Sequence, residues 1–184
     1  MKMRIEKIKL LAATFLSFFL LVSACSPANS EKTSTVANTS PAASVEETQN
    51  VTVTRSGSQP SGQGPAENFT GTVRVDPLVT LKPPSRLTGA LVSFAAGARS
   101  AWHSHPLGQN LVVTSGTGWV QQWGEAKQEI REGDSVWIPP GRKHWHGATA
   151  TTAMAHIALV EQLDGKSTDW MEKVSEEEYR SAIK

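Results

Sequence analysis

Two stretches of the sequence decide the fold. Gly97–Gly116 reads GARSAWHSHPLGQNLVVTSG, and Gly133–Ala148 reads GDSVWIPPGRKHWHGA. Each stretch contains two histidines separated by a single residue. Because residues i and i+2 of a β-strand point to the same face, each pair can direct both imidazoles into the interior of a barrel. The two stretches therefore predict a polar site inside a β-structure.

All five histidines of the chain lie in one compact segment, at His103, His105, His144, His146 and His156. A single histidine in a strand is usually a surface residue or a hydrogen-bonded core residue. Two ligands alone do not hold a divalent ion tightly, so one pair would leave the question open. Five histidines focused on one region indicate a functional site.

The remainder of the chain after Val51 also reads as strands. Short apolar runs alternate with Gly, Pro and Asp at a spacing of roughly ten residues, which favours an antiparallel sandwich or barrel. Ser175 with Glu178 has the spacing of a capping box and predicts a short C-terminal helix. The candidate strands are Gly71–Val75, Thr88–Phe94, Gln109–Thr114, Gly118–Trp123, Lys127–Arg131, Ser135–Ile138 and Thr152–Glu161.

Composition excludes several classes of protein. The chain has 184 residues, and its 18 basic and 17 acidic residues give a formal net charge of +1, so there is no electrostatic case for binding nucleic acid. One cysteine cannot form an internal disulfide, and the length favours a single domain.

The N-terminus resembles an export signal. Four basic residues precede an uncharged apolar run over 10–22, which is shorter than the roughly 20 residues that a transmembrane helix needs. The sequence Val-Ser-Ala-Cys ending at Cys25 resembles a bacterial lipobox. We expect residues 1–24 to be a lipoprotein signal peptide and Cys25 to be acylated. An uncleaved anchor with a leftover cysteine is the alternative. Residues 25–51, rich in Ser, Thr, Pro and Ala, would then tether a domain of residues 52–184 to the outside of a membrane.

The spacing of the two stretches reproduces the two motifs of the cupin superfamily. The first is a glycine, five residues, His103-Ser104-His105, three residues, Gln109, six residues and a glycine. The second is a glycine, five residues, a proline, one residue, a glycine, two residues and His144, sixteen residues further on. The resemblance implies an all-β, single-domain cupin, a double-stranded β-helix barrel of the jelly-roll type. It also implies that His103, His105, Gln109 and His144 hold a metal ion inside this barrel.

Gln109 stands where the superfamily usually has Glu, and Ala148 where it usually has Asn. Three neutral imidazoles and an amide oxygen add no charge to a bound divalent ion, which then keeps its full charge for an anionic ligand. The alternative is that Gln109 lies outside the ligand shell and that a water molecule takes its place. Imidazole ligands alone do not select among Mn, Fe, Ni, Cu and Zn.

His146 and His156 remain once the ligand positions are filled. Beside a divalent cation, a free imidazole stays neutral near pH 7 and can accept a proton from a bound substrate, so both are candidate catalytic bases. The alternatives are that His146 orients a ligand and that His156 is a packed core residue. The tryptophans around the motifs are expected to pack the barrel.

A closer resemblance covers about residues 54–180. Trp102–Gln109 (WHSHPLGQ), Lys143–Ala148 (KHWHGA) and Phe69–Leu78 (FTGTVRVDPL) are similar to the small bacterial cupins that include the manganese-dependent, R-selective hydroxynitrile lyases. Gln109 and Ala148 are the expected residues in that group.

This closer resemblance implies cleavage of a cyanohydrin, such as mandelonitrile, to an aldehyde and hydrogen cyanide. It implies manganese as the metal, with Fe, Ni or Zn as alternatives, and assembly into a homo-oligomer. It also implies a small-molecule substrate in a pocket lined by Ala90, Val92 and Val160. In the plainer interpretation these three residues are ordinary barrel filling.

Two other functions stay open at this point. A metal-dependent cupin dioxygenase acting on a flavonol or diketone would use the same ligands. A non-catalytic lipoprotein that binds a metal or small molecule would need no catalytic base at all. A fold and its site do not by themselves fix the reaction.

Overall fold

A computed structural model of the chain describes residues 50–182. Cys25, the predicted signal peptide, and all but the last two residues of the predicted tether lie outside the described residues. No helix in the described part is long and apolar enough to cross a membrane.

The described residues form twelve strands and one short helix. The elements are β1 (Gly62–Gln63), β2 (Phe69–Thr70), β3 (Val73–Val79), β4 (Leu87–Phe94), β5 (Arg99–Ser100), β6 (His103–Ser104), β7 (Gln109–Gln122), β8 (Gln128–Arg131), β9 (Ser135–Ile138), β10 (His144–Ala148), β11 (Met154–Glu161), β12 (Asp169–Trp170) and α1 (Glu176–Arg180).

The strands form one curled antiparallel sheet. Its main path runs β1-β3-β4-β11-β7-β10-β5-β2, with β8 and β9 paired to β7, and β6 paired to β10 and β12. Several neighbours in the sheet are distant in sequence, as with β4 beside β11 and β7 beside β10. The predicted all-β cupin barrel with a short C-terminal helix is confirmed.

The long strand β7 differs from the sequence prediction. We expected two strands separated by a turn at Gly116, whereas β7 runs unbroken over fourteen residues. Gly116 has φ +75°, and a Cβ there would lie 2.0 Å from the carbonyl oxygen of Ala153. The glycine therefore lets the strand bend without ending. The half before it pairs with β9, and the half after it pairs with β8 and β10.

Two groups of buried residues fill the molecule. The larger one lies among the inward-facing apolar side chains of the sheet and includes Phe94, Leu111 and Met154. The smaller one, which we call the outer aromatic cluster, consists of Trp102, Trp145, Val174 and Tyr179, with the half-buried Trp119 packed against them.

Helix α1 contributes Tyr179 to the outer aromatic cluster. The Ser175 hydroxyl accepts a hydrogen bond from the Glu178 amide (3.1 Å), and the Glu178 carboxylate accepts one from the Ser175 amide (2.7 Å). The predicted capping box is thus present, and both of its backbone donors are satisfied. Through Tyr179, the helix packs against the outward face of β10.

Candidate metal centre and active-site pocket

The strands β6 and β10 place three histidines side by side. His103 is paired with His144 across the two strands, and their ring centroids are 4.2 Å apart. His146 lies two residues further along β10, on the same face, with its ring centroid 5.1 Å from that of His103. One ring nitrogen from each of the three histidines lies within 4.8 Å of the other two, which is close enough for a shared metal ion.

His105 and Gln109 adjoin this group. The ring centroid of His105 is 5.1 Å from that of His103 and 5.4 Å from that of His144. The Gln109 Oε1 atom lies 3.1 Å from the His144 Nε2 atom. The structure thus brings the four predicted ligands together, and it adds His146 to the residues that could hold an ion. All five of these side chains are buried.

Backbone carbonyls orient the three predicted histidine ligands. The Nδ1 atoms of His103, His105 and His144 lie 2.9, 2.8 and 2.7 Å from the carbonyl oxygens of Ala101, Ser167 and Arg142. A carbonyl can only accept, so each Nδ1 carries the proton and each Nε2 keeps its lone pair. Metal-binding histidines are held in this way in other proteins, with the second ring nitrogen donating to a backbone or carboxylate oxygen.

The donor set around His144 fits a cation. With its proton on Nδ1, the His144 Nε2 atom is an acceptor, and it faces the Gln109 Oε1 atom, which is also an acceptor. Two lone pairs at 3.1 Å repel each other unless a positive ion lies between them or the amide is turned around. The His105 Nε2 atom is buried and has no hydrogen-bond partner within residues 50–182. These atoms suit a divalent ion bound by His103, His105, Gln109 and His144.

Burial keeps the histidines neutral. It lowers the pKa of all five imidazoles, and the pKa values of His144 and His156 fall to about 4. Neighbouring imidazoles lower the pKa of His103 and His146 further, because a second positive charge nearby would be repelled. At pH 7 the imidazoles are therefore free bases, the form that binds metals and accepts protons.

The two candidate bases form a hydrogen-bonded pair. The His156 Nε2 atom lies 3.0 Å from the His146 Nδ1 atom, so one of these nitrogens donates to the other. The outer nitrogens of the pair, His146 Nε2 and His156 Nδ1, are buried without a partner among the described residues. His146 lines a cavity, while His156 is fully buried behind it. Of the two, only His146 can touch a molecule in that cavity.

The cavity has a volume of about 590 Å³, within the range of small-molecule sites. His103, His105, Gln109 and His146 line one end of it. Ala90, Val92 and Val160, predicted as pocket residues, also line it.

Sequence reasoning missed several lining residues, including Phe69, Pro77, Val79, Ala158 and Trp170. Strand alternation pointed to Ala158, which is two residues from both His156 and Val160. Trp170 belongs to β12 and lies outside the two cupin motifs. It reaches the site because β12 pairs with β6, so that the Trp170 ring centroid lies 4.8 Å from that of His103.

Neutral histidines grouped inside a curled antiparallel sheet, beside a cavity, define a class of β-barrel with a polar site in its interior. The sequence model of the cupin domain family matches residues 90–160. An (R)-mandelonitrile lyase of Granulicella tundricola is 59% identical over 128 residues, which cover 70% of this chain and 98% of that protein. The chain belongs to the cupin family.

Solved structures agree with this assignment. A cupin-like protein of Thermotoga maritima matches with a TM-score of 0.62 and 41% identity, over 64% of this chain and 90% of that one. A conserved barrel domain protein of Rhodopseudomonas palustris matches with a TM-score of 0.50 and 20% identity, over 59% of this chain and 74% of that one, which bears on the fold alone.

Proposed function

We propose that this protein is a metal-dependent lyase that cleaves cyanohydrins to an aldehyde and hydrogen cyanide, and that also catalyses the reverse addition. The observation that carries the proposal is the 59% identity with a mandelonitrile lyase across nearly the whole of that protein. The cavity supports it, because neutral histidines line one end and mostly apolar side chains line the rest. A cyanohydrin likewise has a hydroxyl at one end and an apolar group at the other.

His103, His105, Gln109 and His144 would hold the divalent ion, for which we propose manganese. When bound, the ion supplies a positive charge that stabilises the developing alkoxide of the substrate. The uncharged ligand set leaves that charge intact, which favours an anionic oxygen over a neutral one. The carbonyl groups of Ala101, Ser167 and Arg142 keep the imidazoles aimed at the ion.

His146 would act as the catalytic base. Its Nε2 atom is buried and has no partner among residues 50–182. When the His146 Nδ1 atom carries the proton and donates it to the His156 Nε2 atom, the His146 Nε2 atom has a free lone pair and takes the hydroxyl proton of the cyanohydrin. The bond between the carbinol carbon and the nitrile carbon then breaks, which leaves the aldehyde and cyanide. The proton on His146 passes to cyanide, and hydrogen cyanide leaves with the base restored. His156 is a positioning residue that sets the tautomer of His146.

The roles of the ligands and of the base are separable. We expect chelation, and the substitution His103→Ala, to abolish both the bound metal and the release of benzaldehyde from mandelonitrile. We expect His146→Ala to keep the metal and to lower kcat at least a hundredfold. Loss of the metal in His146→Ala would instead make His146 a ligand, which its position beside His103 and His144 also permits. Oxygen uptake with a flavonol, and no cyanohydrin cleavage, would identify the protein as a dioxygenase.

We also propose that Cys25 carries a lipid, that residues 25–51 tether residues 52–184 outside a membrane, and that the domain assembles into a homo-oligomer. Metabolic labelling with a radioactive fatty acid tests the first part, with Cys25→Ser as the unlabelled control. Light scattering of a protein lacking residues 1–25 tests the last. A cleaved but unlabelled wild-type protein would contradict the anchor.

A further inference from the structure

The cavity continues well beyond the histidines, in a part that we call the apolar arm. It is formed by inward-facing side chains of β3, β4 and β11, including Pro77, Val79, Ala90 and Ala158. In the register of the sheet, Ala158 pairs with Ala90, and Ala90 pairs with Pro77. Three neighbouring strands thus present one continuous apolar row to the cavity.

The two alanines open the arm. Most inward-facing residues around them are larger, such as Val92 beside Ala90 on β4 and His156 beside Ala158 on β11. A side chain larger than a methyl group at either alanine would extend into the space of the arm. These small residues lie between the histidine end and the mouth at Val79, so they keep the passage continuous.

The strand order shows how far the cavity extends along the sheet. Gln109, on β7, lies at the histidine end, and the sheet continues through β11 and β4 to β3, where Val79 lies. Three inter-strand steps of about 4.8 Å, or about 14 Å measured along the curled sheet, separate β7 from β3. Residues of all four strands line the cavity. The volume of about 590 Å³ exceeds what a one-ring substrate occupies.

Most side chains that line the cavity beyond the histidines are apolar, and the polar ones are Asn68, Thr80, Thr88, Gln162, Ser167 and Thr168. The Thr88 hydroxyl already donates to the Val160 carbonyl at 3.2 Å. Phe69 and Trp170 form the opposite wall, with their ring centroids 5.5 Å apart in an edge-to-face arrangement. Trp170 is 40% exposed and lies 4.8 Å from the His103 ring, so the cavity also meets solvent on this side, besides the mouth at Val79. Aromatic and aliphatic surface of this kind favours an apolar group and disfavours a charged one.

We propose that the preferred substrate carries an apolar group longer than one aromatic ring, such as a fused two-ring system, which lies in the apolar arm. The proposal rests on the proposed function, since the histidine end would hold the reacting oxygen and nitrile. The arm itself is independent of the reaction, because its shape follows from Ala90, Ala158 and the strand register.

Binding and turnover both test the arm. In the metal-loaded protein we expect 2-naphthoate to bind at least about tenfold more tightly than benzoate, as measured by calorimetry, because the second ring is removed from water. We also expect a lower KM for the cyanohydrin of 2-naphthaldehyde than for mandelonitrile. Ala158→Leu should remove both preferences. The matched control is Ala155→Leu, the same change on the outward face of β11, which should retain them.

A second variant guards against misfolding. Val79→Trp, at the partly exposed mouth, should also reduce the preference for naphthoate, without disturbing a buried position. Equal binding of benzoate and naphthoate by the wild-type protein would overturn the arm, even if mandelonitrile is cleaved. Selective binding of naphthoate with cleavage of neither cyanohydrin would overturn the proposed lyase activity and leave the arm intact.

Discussion

The two faces of strand β10 have opposite environments. His144 and His146 point inward to the cavity and its surroundings, while Trp145 between them points outward into the outer aromatic cluster. All five residues of the strand are buried, so neither face meets solvent. Trp145 packs against Trp102 and Tyr179, with ring centroids 6.5 and 5.9 Å apart, and its indole N–H donates to the Gln121 Oε1 atom at 2.8 Å.

The hydrogen bonding of buried polar atoms differs between the two sides. On the outward side, the Tyr179 hydroxyl donates to the Ala148 carbonyl, the buried Arg99 guanidinium to the Val174 carbonyl, and the Lys127 ammonium to the Tyr179 carbonyl. Arg99 also lies 4.4 Å from the Tyr179 ring centroid. On the inward side, three imidazole nitrogens lack partners among residues 50–182. Two indole N–H groups in the outer cluster, those of Trp102 and Trp119, also lack partners.

A buried polar atom without a partner costs about 1–3 kcal/mol. The inward face therefore carries a cost that binding of an ion or substrate would offset, whereas the outward face, where most polar groups are paired, supplies stability. Along β10, residues that serve the site therefore alternate with residues that stabilise the fold. Substitutions on adjacent residues should consequently change different properties of the protein.

The largest effect is expected at His144. We predict that His144→Ala loses the bound metal and lowers lyase activity at least a thousandfold, because one ligand and its partner Gln109 are both released. The melting temperature of the chelated protein should change little, since a buried imidazole that faces another acceptor is removed. Elemental analysis and benzaldehyde release measure the first effect, and calorimetry measures the second. Retention of the metal would show that His144 is not a ligand.

The next effect is expected at the adjacent residue. Trp145→Ala should lower the free energy of unfolding by about 3–5 kcal/mol, because a fully buried indole leaves a cavity in the outer aromatic cluster. The metal-loaded fraction that remains folded should keep its kcat. Urea unfolding gives the first quantity, and turnover per bound metal ion gives the second. A large fall in turnover per ion would mean that the two faces of β10 are coupled.

Acid should destabilise the chelated protein by protonating its buried histidines. Burial lowers the pKa of His156 to about 4, while an unfolded histidine titrates near 6.5. Between these values the unfolded chain binds more protons, so stability falls as the pH drops from 7 to 4. At 1.36 kcal/mol per pKa unit, His156 alone contributes about 3 kcal/mol over that range.

Urea unfolding at pH 7, 6 and 5 measures this dependence. His156→Phe should reduce the slope of stability against pH by about one proton, because one depressed imidazole is removed. An unchanged slope in that variant would show that His156 is already protonated in the folded protein, contrary to its burial.

A smaller effect is expected from charge at position 109. Gln109→Glu should keep the metal and lower lyase activity by about tenfold, because a carboxylate would partly neutralise the ion that we propose to stabilise the alkoxide. The control is Gln128→Glu, which adds the same charge at an exposed position on β8 and should leave activity unchanged. Unchanged turnover in Gln109→Glu would count against Gln109 as a ligand.

Much of the inward face follows from the sequence. The spacing of the two motifs predicted that His103, His105, Gln109 and His144 lie together, and strand alternation placed His146 on the same side. The fold class followed from the same motifs. The unbroken course of β7 through Gly116 was not predicted, because a glycine with positive φ can bend a strand as well as end it.

Contacts between segments that are distant in the chain could not be predicted from the sequence either. The carbonyl of Ser167 orients His105 from 62 residues away, and Trp170 covers His103 through the pairing of β12 with β6. The distinction between His146 and His156 needs the structure, because it depends on which ring reaches the cavity wall. Side-chain identity and spacing predict which residues belong to the site. Which of them reach the cavity and which lie behind it depends on packing.

The smallest effect is expected at Tyr179. Tyr179→Phe removes the hydroxyl that donates to the Ala148 carbonyl at 2.9 Å and leaves the ring in the outer aromatic cluster. We predict a loss of about 1 kcal/mol in the free energy of unfolding, the usual contribution of one buried hydrogen bond, with metal content and kcat unchanged. Ala148 ends β10, four residues from His144, so this variant removes a hydrogen bond to the same strand from its outward side. A change in kcat by more than about threefold would show that the outward face also positions the histidines, and that the separation across β10 is incomplete.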